Sequence, residues 1–130
     1  MSSILVVDDE ASATRILRLQ LENAGYEVET ACNGEMALEL MRERDFDVLV
    51  TDVNMPKMDG HELCQAIREQ LPDSDPIVFV LTARPGEGHR KKVAGLTNVE
   101  FLEKPASLRQ LIARIGERLA EVREKPEAAT

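Results

Sequence analysis

Apolar and polar positions divide this chain into short apolar runs and longer segments in which apolar residues recur at helical spacing. Continuous apolar runs lie at residues 4–7, 48–50 and 77–81, residues 99–102 form a mainly apolar run that contains Glu100, and residues 26–30 alternate instead. A continuous run is typical of a strand covered on both faces, whereas alternation is typical of an edge strand with one wet face. Five strands alternating with five helices predict an α/β fold, a doubly wound (βα)5 five-stranded parallel sheet with helices on both faces.

The helices predicted from this spacing cover residues 13–24, 34–44, 61–70, 89–96 and 108–120. Asn33 is expected to cap the second helix. Asp59 with Glu62, and Ser107 with Gln110, have the spacing of capping boxes at the start of the third and last helices.

The first predicted helix combines a buried stripe with one apolar residue on its other side. The residues predicted to be buried are Ala13, Ile16, Leu17, Leu21 and Ala24. Leu19 lies off this stripe, beside Ser12 and Arg15. One exposed leucine is common in soluble proteins, so the plainer interpretation is a solvated face. The alternative is a partner-binding face next to an acidic site.

Composition limits the classes of function. A chain of 130 residues accommodates one domain, which we place at residues 1–121, followed by a charged tail or start of a linker at 122–130. The net charge of −8 disfavours a nucleic-acid or anionic-membrane partner, because both attract basic surfaces. No signal-peptide pattern or long apolar span is present, which predicts a cytoplasmic protein. Cys32 and Cys64 are expected to be reduced and at least partly buried, and His61 to be solvated.

Polar or charged residues follow four of the five apolar runs. Asp8 and Asp9 follow the first run, Asp52 the third and Thr82 the fourth, and Lys104 comes shortly after the fifth. Because the carboxyl ends of parallel strands meet at one edge of a sheet, we expect these side chains to lie close together.

This set of residue types indicates phosphoryl chemistry. Clustered carboxylates repel one another unless a cation neutralises them, and oxygen donors without His or Cys select a hard cation such as Mg²⁺. A lysine and a threonine hydroxyl can hold phosphoryl oxygens, and an aspartate beside them can accept the group. Each residue alone could be a cap or a rim charge, but the set of five is better explained as a site for aspartyl-phosphate formation.

The same motifs resemble the receiver domain of bacterial two-component response regulators, over about residues 3–120. The resemblance rests on residues 4–10, on Asp52 followed by Met-Pro-Lys-Met-Asp-Gly at 55–60, on Thr82 with Ala83, and on Lys104 with Pro105. It implies a flavodoxin-like fold like that of chemotaxis regulators, with strand order 2-1-3-4-5. It also implies a signalling module rather than an enzyme, at most catalysing its own phosphorylation and dephosphorylation.

The resemblance implies a role for each matching position. Asp52 would be the phosphoacceptor, receiving its phosphoryl group from a histidine kinase or a histidine phosphotransfer protein. Mg²⁺ or Mn²⁺ would bind Asp9 and Asp52 directly, Asp8 through water, and the backbone carbonyl of Asn54. The phosphoryl-binding and switch residues would be Thr82, Ala83, Lys104 and Phe101.

The resemblance further implies a cis peptide bond between Lys104 and Pro105. It implies that the fourth helix, fifth strand and fifth helix form a face that binds a downstream partner or supports a weak dimer, the domain otherwise being monomeric.

Two positions depart from the family's usual pattern. Thr97 and Asn98 stand where the family usually has Gly-Ala, and Gly95 disfavours the preceding helix. We therefore expect the fourth helix to be short or mobile. Arg84 occupies a position where the family varies and where the side chain tunes the lifetime of the phosphoryl group.

Two alternatives remain open at this point. A haloacid-dehalogenase-like Mg²⁺-dependent phosphohydrolase would share the sheet, the ion, the threonine and the lysine. That family needs Asp-x-Asp after the first strand and a cap domain, whereas Asp8 and Asp9 are adjacent here. The other alternative is a receiver cut from a longer protein that carries an output domain, since residues 125–130 resemble the start of a linker.

Overall fold

Five parallel strands form one sheet with helices on both of its faces. The structure is a computed structural model that describes residues 2–52, 58–82, 99–103 and 108–124. In chain order the elements are β1 (Ser3–Val7), α1 (Ala11–Asn23), β2 (Glu27–Ala31), α2 (Gly34–Glu43), β3 (Val48–Asp52), α3 (Gly60–Gln70), β4 (Ile77–Thr82), β5 (Val99–Glu103) and the C-terminal helix (Leu108–Glu124). The fourth predicted helix and Ser107, the predicted cap of the last helix, lie outside the described residues.

The sheet has the order β2-β1-β3-β4-β5, and every pairing is parallel. The predicted α/β class and strand order are therefore confirmed. β1 and β3 are buried along their whole length, as continuous apolar runs should be. β2 lies at the edge of the sheet, and its buried residues are Val28 and Ala31, which fits an edge strand with one wet face.

Strand side chains form two core layers, because successive residues of a strand point to opposite faces of the sheet. The layer against α2 and α3 includes Leu5, Leu49, Val78 and Val80. The layer against α1 and the C-terminal helix includes Ile4, Val50, Ile77 and Phe79. Burial of both apolar layers is the main force that holds the helices to the sheet.

The C-terminal helix packs against the sheet through the apolar stripe that its sequence predicts. Leu111, Ile115 and Leu119 are buried, and Leu108 and Ile112 are partly buried against the same layer. Among the described residues, no helix is both long and apolar enough to cross a bilayer.

The buried stripe of α1 is narrower than predicted. Leu17 and Leu21 are buried and Ala13 is half-buried, but Ile16 is 53% exposed. The prediction for Ile16 is wrong because its side chain lines a groove between α1 and the C-terminal helix instead of packing against that helix. Ala24 is also exposed, because α1 ends before it and Ala24 is the C-cap.

Helix ends follow the predicted capping chemistry. Asn33 accepts the Met36 N–H at 2.9 Å and so caps α2. Asp59 accepts the Glu62 N–H at 2.8 Å, and the Glu62 carboxylate accepts the Asp59 N–H at 3.0 Å, which confirms the capping box of α3. Gly25 follows α1 with φ of 99°, a conformation that disfavours any residue with a side chain.

The start of α2 lies against the chain that follows β3. A Cβ atom placed on Gly34 would lie 2.8 Å from the Cβ atom of Met58. Packed carbon atoms normally stay about 3.5–4.0 Å apart. Glycine therefore allows α2 to begin in contact with the residue that precedes the α3 cap.

Two side chains differ in burial from their predictions. Cys32 is exposed rather than partly buried, because it follows the last residue of the edge strand β2. His61, which we expected to be solvated, is only 4% exposed, because the first turn of α3 packs it against Phe101 of β5. Cys64 is buried as predicted, and that burial, with a smaller effect of Asp59, raises the pKa of its thiol to about 12.

A bidentate ion pair joins β5 to the C-terminal helix. The Arg114 guanidinium donates to both carboxylate oxygens of Glu100, at 2.6 and 2.7 Å. These hydrogen bonds hold the pKa of Glu100 below its usual value of 4.5 and raise the pKa of Arg114. The pair fixes the helix against the last strand of the sheet.

Candidate functional site

Strand register brings three carboxylates together at the carboxyl edge of the sheet. Val7 of β1 pairs with Thr51 of β3, so Asp8 and Asp52, the next residues, are neighbours across the two strands. Asp9 follows Asp8. One carboxylate oxygen from each of the three aspartates lies within 4.8 Å of the others. The sequence predicted this cluster from the strand ends, and the structure confirms that the three residues meet.

Backbone hydrogen bonds hold Asp8 in place. Its N–H donates to the Ala31 carbonyl oxygen at 3.1 Å, which extends the β1–β2 ladder. Its carboxylate accepts the Glu10 N–H at 3.0 Å. Asp8 is therefore fixed at the point where β1 turns into α1.

Asp52 is the most buried of the three carboxylates. It is the last residue of β3 and is 8% exposed, whereas Asp8 is half-buried and Asp9 is exposed. Thr51, which is fully buried, donates its hydroxyl to the Asp52 carbonyl oxygen at 3.0 Å. Asp52 therefore lies on the inner side of the cluster, at the end of a rigid strand.

The donor set fits a small divalent cation. Mg²⁺ binds oxygen at about 2.1 Å, so two ligands on opposite sides of the ion lie about 4.2 Å apart. Carboxylate oxygens within 4.8 Å of one another can thus share one ion, directly or with a water on one of them. The cluster contains only oxygen donors, which favours Mg²⁺ or Mn²⁺ over softer metals.

The other predicted site residues are only partly covered by the structure. Leu81 pairs with Asp52, so the backbone of Thr82 lies one residue further along the same edge, opposite Glu103. The structure describes the backbone of Thr82 but not its side chain. The predicted site residues that lie outside the described residues are Asn54, Ala83, Arg84, Lys104 and Pro105.

Phe101 lies on the face of the sheet that packs against α2 and α3. Its backbone pairs with Val80, and its half-buried ring packs against that core layer and against the ring of His61. Sequence reasoning missed His61, because a histidine in the first turn of a helix gives no sign of which neighbour covers it.

A groove with a volume of about 270 Å³ runs from the carboxylates between α1 and the C-terminal helix. Its walls include Ala13, Thr14, Ile16 and Leu17 of α1 and Leu108 and Leu111 of the C-terminal helix, and its acidic end includes Asp8, Glu10 and Asp52.

The predicted partner face lies beside this groove. Ser12, Arg15 and Leu19 are exposed, Leu19 at 54%, and Ile16 lies among them. Sequence reasoning placed Ile16 in the core, although the i, i+3, i+4, i+7 spacing of these four residues could have indicated one exposed stripe.

Comparisons with known proteins agree with this geometry. The sequence profile described as the response regulator receiver domain matches residues 4–116. A probable transcriptional regulator, ycf27, from Cyanidium caldarium is 43% identical over 114 residues, which cover 86% of this chain and 44% of the relative. The chain therefore spans less than half the length of this curated relative.

Solved structures give the same fold. Chemotaxis protein CheY4 of Vibrio cholerae matches with a TM-score of 0.82 and 32% identity, covering 90% of this chain and 98% of that chain. TrrA of Thermotoga maritima, solved in complex with Mg²⁺-BeF, matches with a TM-score of 0.74 and 29% identity, covering 90% and 98%.

Proposed function

Because the chain belongs to the response regulator receiver domain family, we propose that Asp52 accepts a phosphoryl group from a histidine kinase or a histidine phosphotransfer protein. The observation that carries this proposal is the carboxylate cluster, with Asp52 nearly buried at the end of β3 beside Asp8 and Asp9.

The chain is a signalling module of two-component systems and not an enzyme in the usual sense, as its family and its relatives named transcriptional regulators indicate. This membership sets aside the phosphohydrolase alternative. We propose that the domain itself, with its charge of −8, binds no nucleic acid or membrane and works in the cytoplasm. The longer relatives are named transcriptional regulators, so we make this proposal for the receiver domain alone, which we place at residues 1–121.

The transfer is a substitution at phosphorus. A carboxylate oxygen of Asp52 attacks the phosphorus atom, the P–N bond of a phosphohistidine breaks, and the new P–O bond makes an acyl phosphate. The imidazole leaves and takes up a proton from solvent. The end of β3 holds Asp52 in one place, so attacking and leaving atoms can be brought into line.

The acidic residues around Asp52 would hold a metal ion that offsets the negative charge of the phosphoryl group. Bound Mg²⁺ or Mn²⁺ would neutralise the carboxylates and the phosphoryl oxygens. By the family resemblance, Asp9 and Asp52 would bind the ion directly and Asp8 through water. The carbonyl of Asn54 would complete the protein ligands.

A second group of residues would respond to the phosphoryl group. We propose that Lys104 pairs with it, that Thr82 and Ala83 close over it, and that Phe101 turns inward as Thr82 moves. The backbone position of Thr82 beside the end of β3 supports this assignment. The change would alter a face that includes β5 and the C-terminal helix, where a downstream partner or a second copy of the chain binds.

The test of the phosphoacceptor uses acetyl phosphate and Mg²⁺, with intact-protein mass spectrometry as the readout. The wild-type chain is expected to gain one phosphoryl group that hydroxylamine removes, as it does from acyl phosphates. Asp52→Asn should gain none. Asp73→Asn, an exposed aspartate in the loop between α3 and β4, is the matched control and should label normally. Persistent labelling of Asp52→Asn would show that another residue is the acceptor.

We also propose that the stripe Ser12, Arg15, Ile16 and Leu19 on α1 docks the phosphodonor protein. The two apolar side chains are each more than half exposed, and the adjacent groove ends at Asp52. A partner helix on this stripe would place its phosphohistidine near the carboxylates.

Replacing Ile16 and Leu19 together by aspartate tests the docking face. Transfer from a histidine kinase that phosphorylates the wild-type chain should slow by more than about tenfold, as expected for losing buried interface anchors. Labelling by acetyl phosphate should be unchanged. Met36→Asp, at another exposed apolar residue on α2, is the control. Equal transfer to all three proteins would disprove docking on α1.

A further inference from the structure

His61 is a buried side chain with no part in the proposed phosphoryl transfer. It is 4% exposed, although it lies in the first turn of α3. Its imidazole packs against the Phe101 ring with 6.2 Å between centroids and 38° between planes. These values lie in the range of interacting aromatic pairs, whose centroids are about 4.5–7 Å apart.

The contact joins the chain after β3 to β5. His61 Nδ1 lies 4.0 Å from Oδ1 of Asp59, and the same oxygen accepts the Glu62 N–H that begins α3. Met58 and Asp59 come shortly before His61 in the sequence.

Phe101 is less deeply buried than the other two phenylalanines. Its ring is half-buried, whereas Phe46 and Phe79 are 4% and 0% exposed. Met58 is also partly buried against the same core layer. A half-buried ring changes rotamer more easily than a closely packed one, so the side chain that covers it sets its position.

We propose that His61 is a positioning residue that sets the position of the Phe101 ring, and through that ring the affinity of the domain for a phosphoryl mimic at Asp52. The inference rests on the proposed function, in which Phe101 is the residue that turns inward. His61 acts through the Phe101 ring and need not touch the phosphoryl group.

Fluorine NMR of the chain labelled with fluorophenylalanine tests this proposal. The chain has three phenylalanines, so Phe46 and Phe79 serve as internal references. His61→Ala should shift or broaden the Phe101 signal and leave the other two unchanged. His61→Tyr, which restores a planar ring, should return the signal towards its wild-type position. His61→Leu removes the ring but keeps buried volume, and gives the same comparison if the alanine variant unfolds.

The second readout is a titration with beryllium fluoride and Mg²⁺. The concentration that half-saturates the Phe101 signal should change by roughly twofold to tenfold in His61→Ala, in proportion to one aromatic contact, and His61→Tyr should reverse the change. An unchanged Phe101 signal in both the alanine and the leucine variants would overturn the proposal. Equal shifts of all three phenylalanine signals would also overturn it. The control Leu38→Ala, which truncates a core residue on α2, shows what such a general packing defect looks like.

Failure of the proposed function would look different. If acetyl phosphate does not label the wild-type chain, Asp52 is not shown to be an acceptor. The comparison of Phe101 signals without beryllium fluoride still decides whether His61 positions the ring.

Discussion

Gly34 is a residue whose missing side chain matters to the site. The Cβ and Cγ atoms of Met58 lie 2.8 Å from the place where a Cβ atom on Gly34 would be, and Met58 belongs to the segment that follows Asp52. A side chain at residue 34 would therefore push on the segment that carries the α3 cap and His61. Among the described residues, a Cβ atom placed on Gly116 of the C-terminal helix would have only the Tyr26 hydroxyl within 4 Å, at 3.8 Å.

These two glycines should respond in opposite ways to alanine. Gly34→Ala is expected to lower the free energy of unfolding by about 1–3 kcal/mol, because the contact with Met58 must be relieved by moving backbone. Gly116→Ala should raise it by up to about 1 kcal/mol, because alanine favours a helix interior and the space is open. Urea unfolding of both variants measures the difference. Stabilisation by Gly34→Ala would show that Met58 moves aside freely.

Single residues were predictable from the sequence when their position followed from a strand end. Asp8, Asp9 and Asp52 met as expected, because parallel strands share one carboxyl edge. Ile16 and His61 were not predictable, since burial of a helical residue depends on which neighbour covers it. Ile16 faces a groove and His61 faces an aromatic ring, and helical spacing alone does not reveal either neighbour.

At the scale of elements, β5 and the C-terminal helix behave as one unit. Their link is the Glu100–Arg114 pair, with side chains 25% and 34% exposed. The bidentate geometry makes it stronger than most surface pairs, although solvent screens part of the interaction. The same two elements belong to the proposed output face, so their relative position affects what a partner meets.

Breaking this pair should have a pH-dependent effect. Glu100→Gln is expected to lower the free energy of unfolding by about 1 kcal/mol at neutral pH. Since the folded protein holds the pKa of Glu100 below 4.5, the pair's contribution is present above that pH and is lost as the pH falls through the lowered pKa. Urea unfolding of wild type and variant from pH 7 to acid pH should show that the difference between their free energies of unfolding shrinks as the pH falls.

The control for this prediction is Glu117→Gln. Glu117 also pairs with Arg114, at 3.4 Å, but is 63% exposed. We expect it to change the free energy of unfolding by less than about 0.5 kcal/mol. A Glu100→Gln effect that stays constant as the pH falls would contradict the assigned ion pair.

Strands and capped helices followed closely from the sequence. Each apolar run became a strand with at most two further residues, and Asn33 and Asp59 capped their helices. α1 ends at Asn23, one residue earlier than expected, because the apolar pattern indicates which face of a helix is buried and does not mark the residue at which the helix ends.

For the whole molecule, the main feature is a concentration of negative charge at one edge of an already acidic chain. The net charge is −8, and three carboxylates share one site at the sheet edge. Their mutual repulsion opposes folding unless a cation reduces it. An ion that binds the folded state and is bound poorly by the unfolded chain would add stability.

Magnesium should therefore stabilise the protein through this site. At a Mg²⁺ concentration a hundred times the Kd, the free energy of unfolding should rise by about 2.7 kcal/mol, and EDTA should reverse the change. Asp52→Asn should lose most of this gain, and Asp73→Asn should keep it. Thermal unfolding with and without Mg²⁺ measures it, with K⁺ at equal ionic strength separating binding from screening. Equal Mg²⁺ stabilisation of both variants would place the ion elsewhere.

The two core layers have a consequence for the order of signalling events. Asp52 is in phase with Val48 and Val50, so its side chain belongs to the layer of α1, where the groove lies. Phe101 belongs to the opposite layer, with α2 and α3. The proposed phosphoryl transfer would thus take place on the α1 side of the sheet, whereas the aromatic ring proposed to respond to it lies on the α2 and α3 side. Since α1 and the C-terminal helix share one layer, a phosphodonor bound to α1 would lie beside part of the proposed output face, whereas the side of the sheet that holds Phe101 would stay free of the donor.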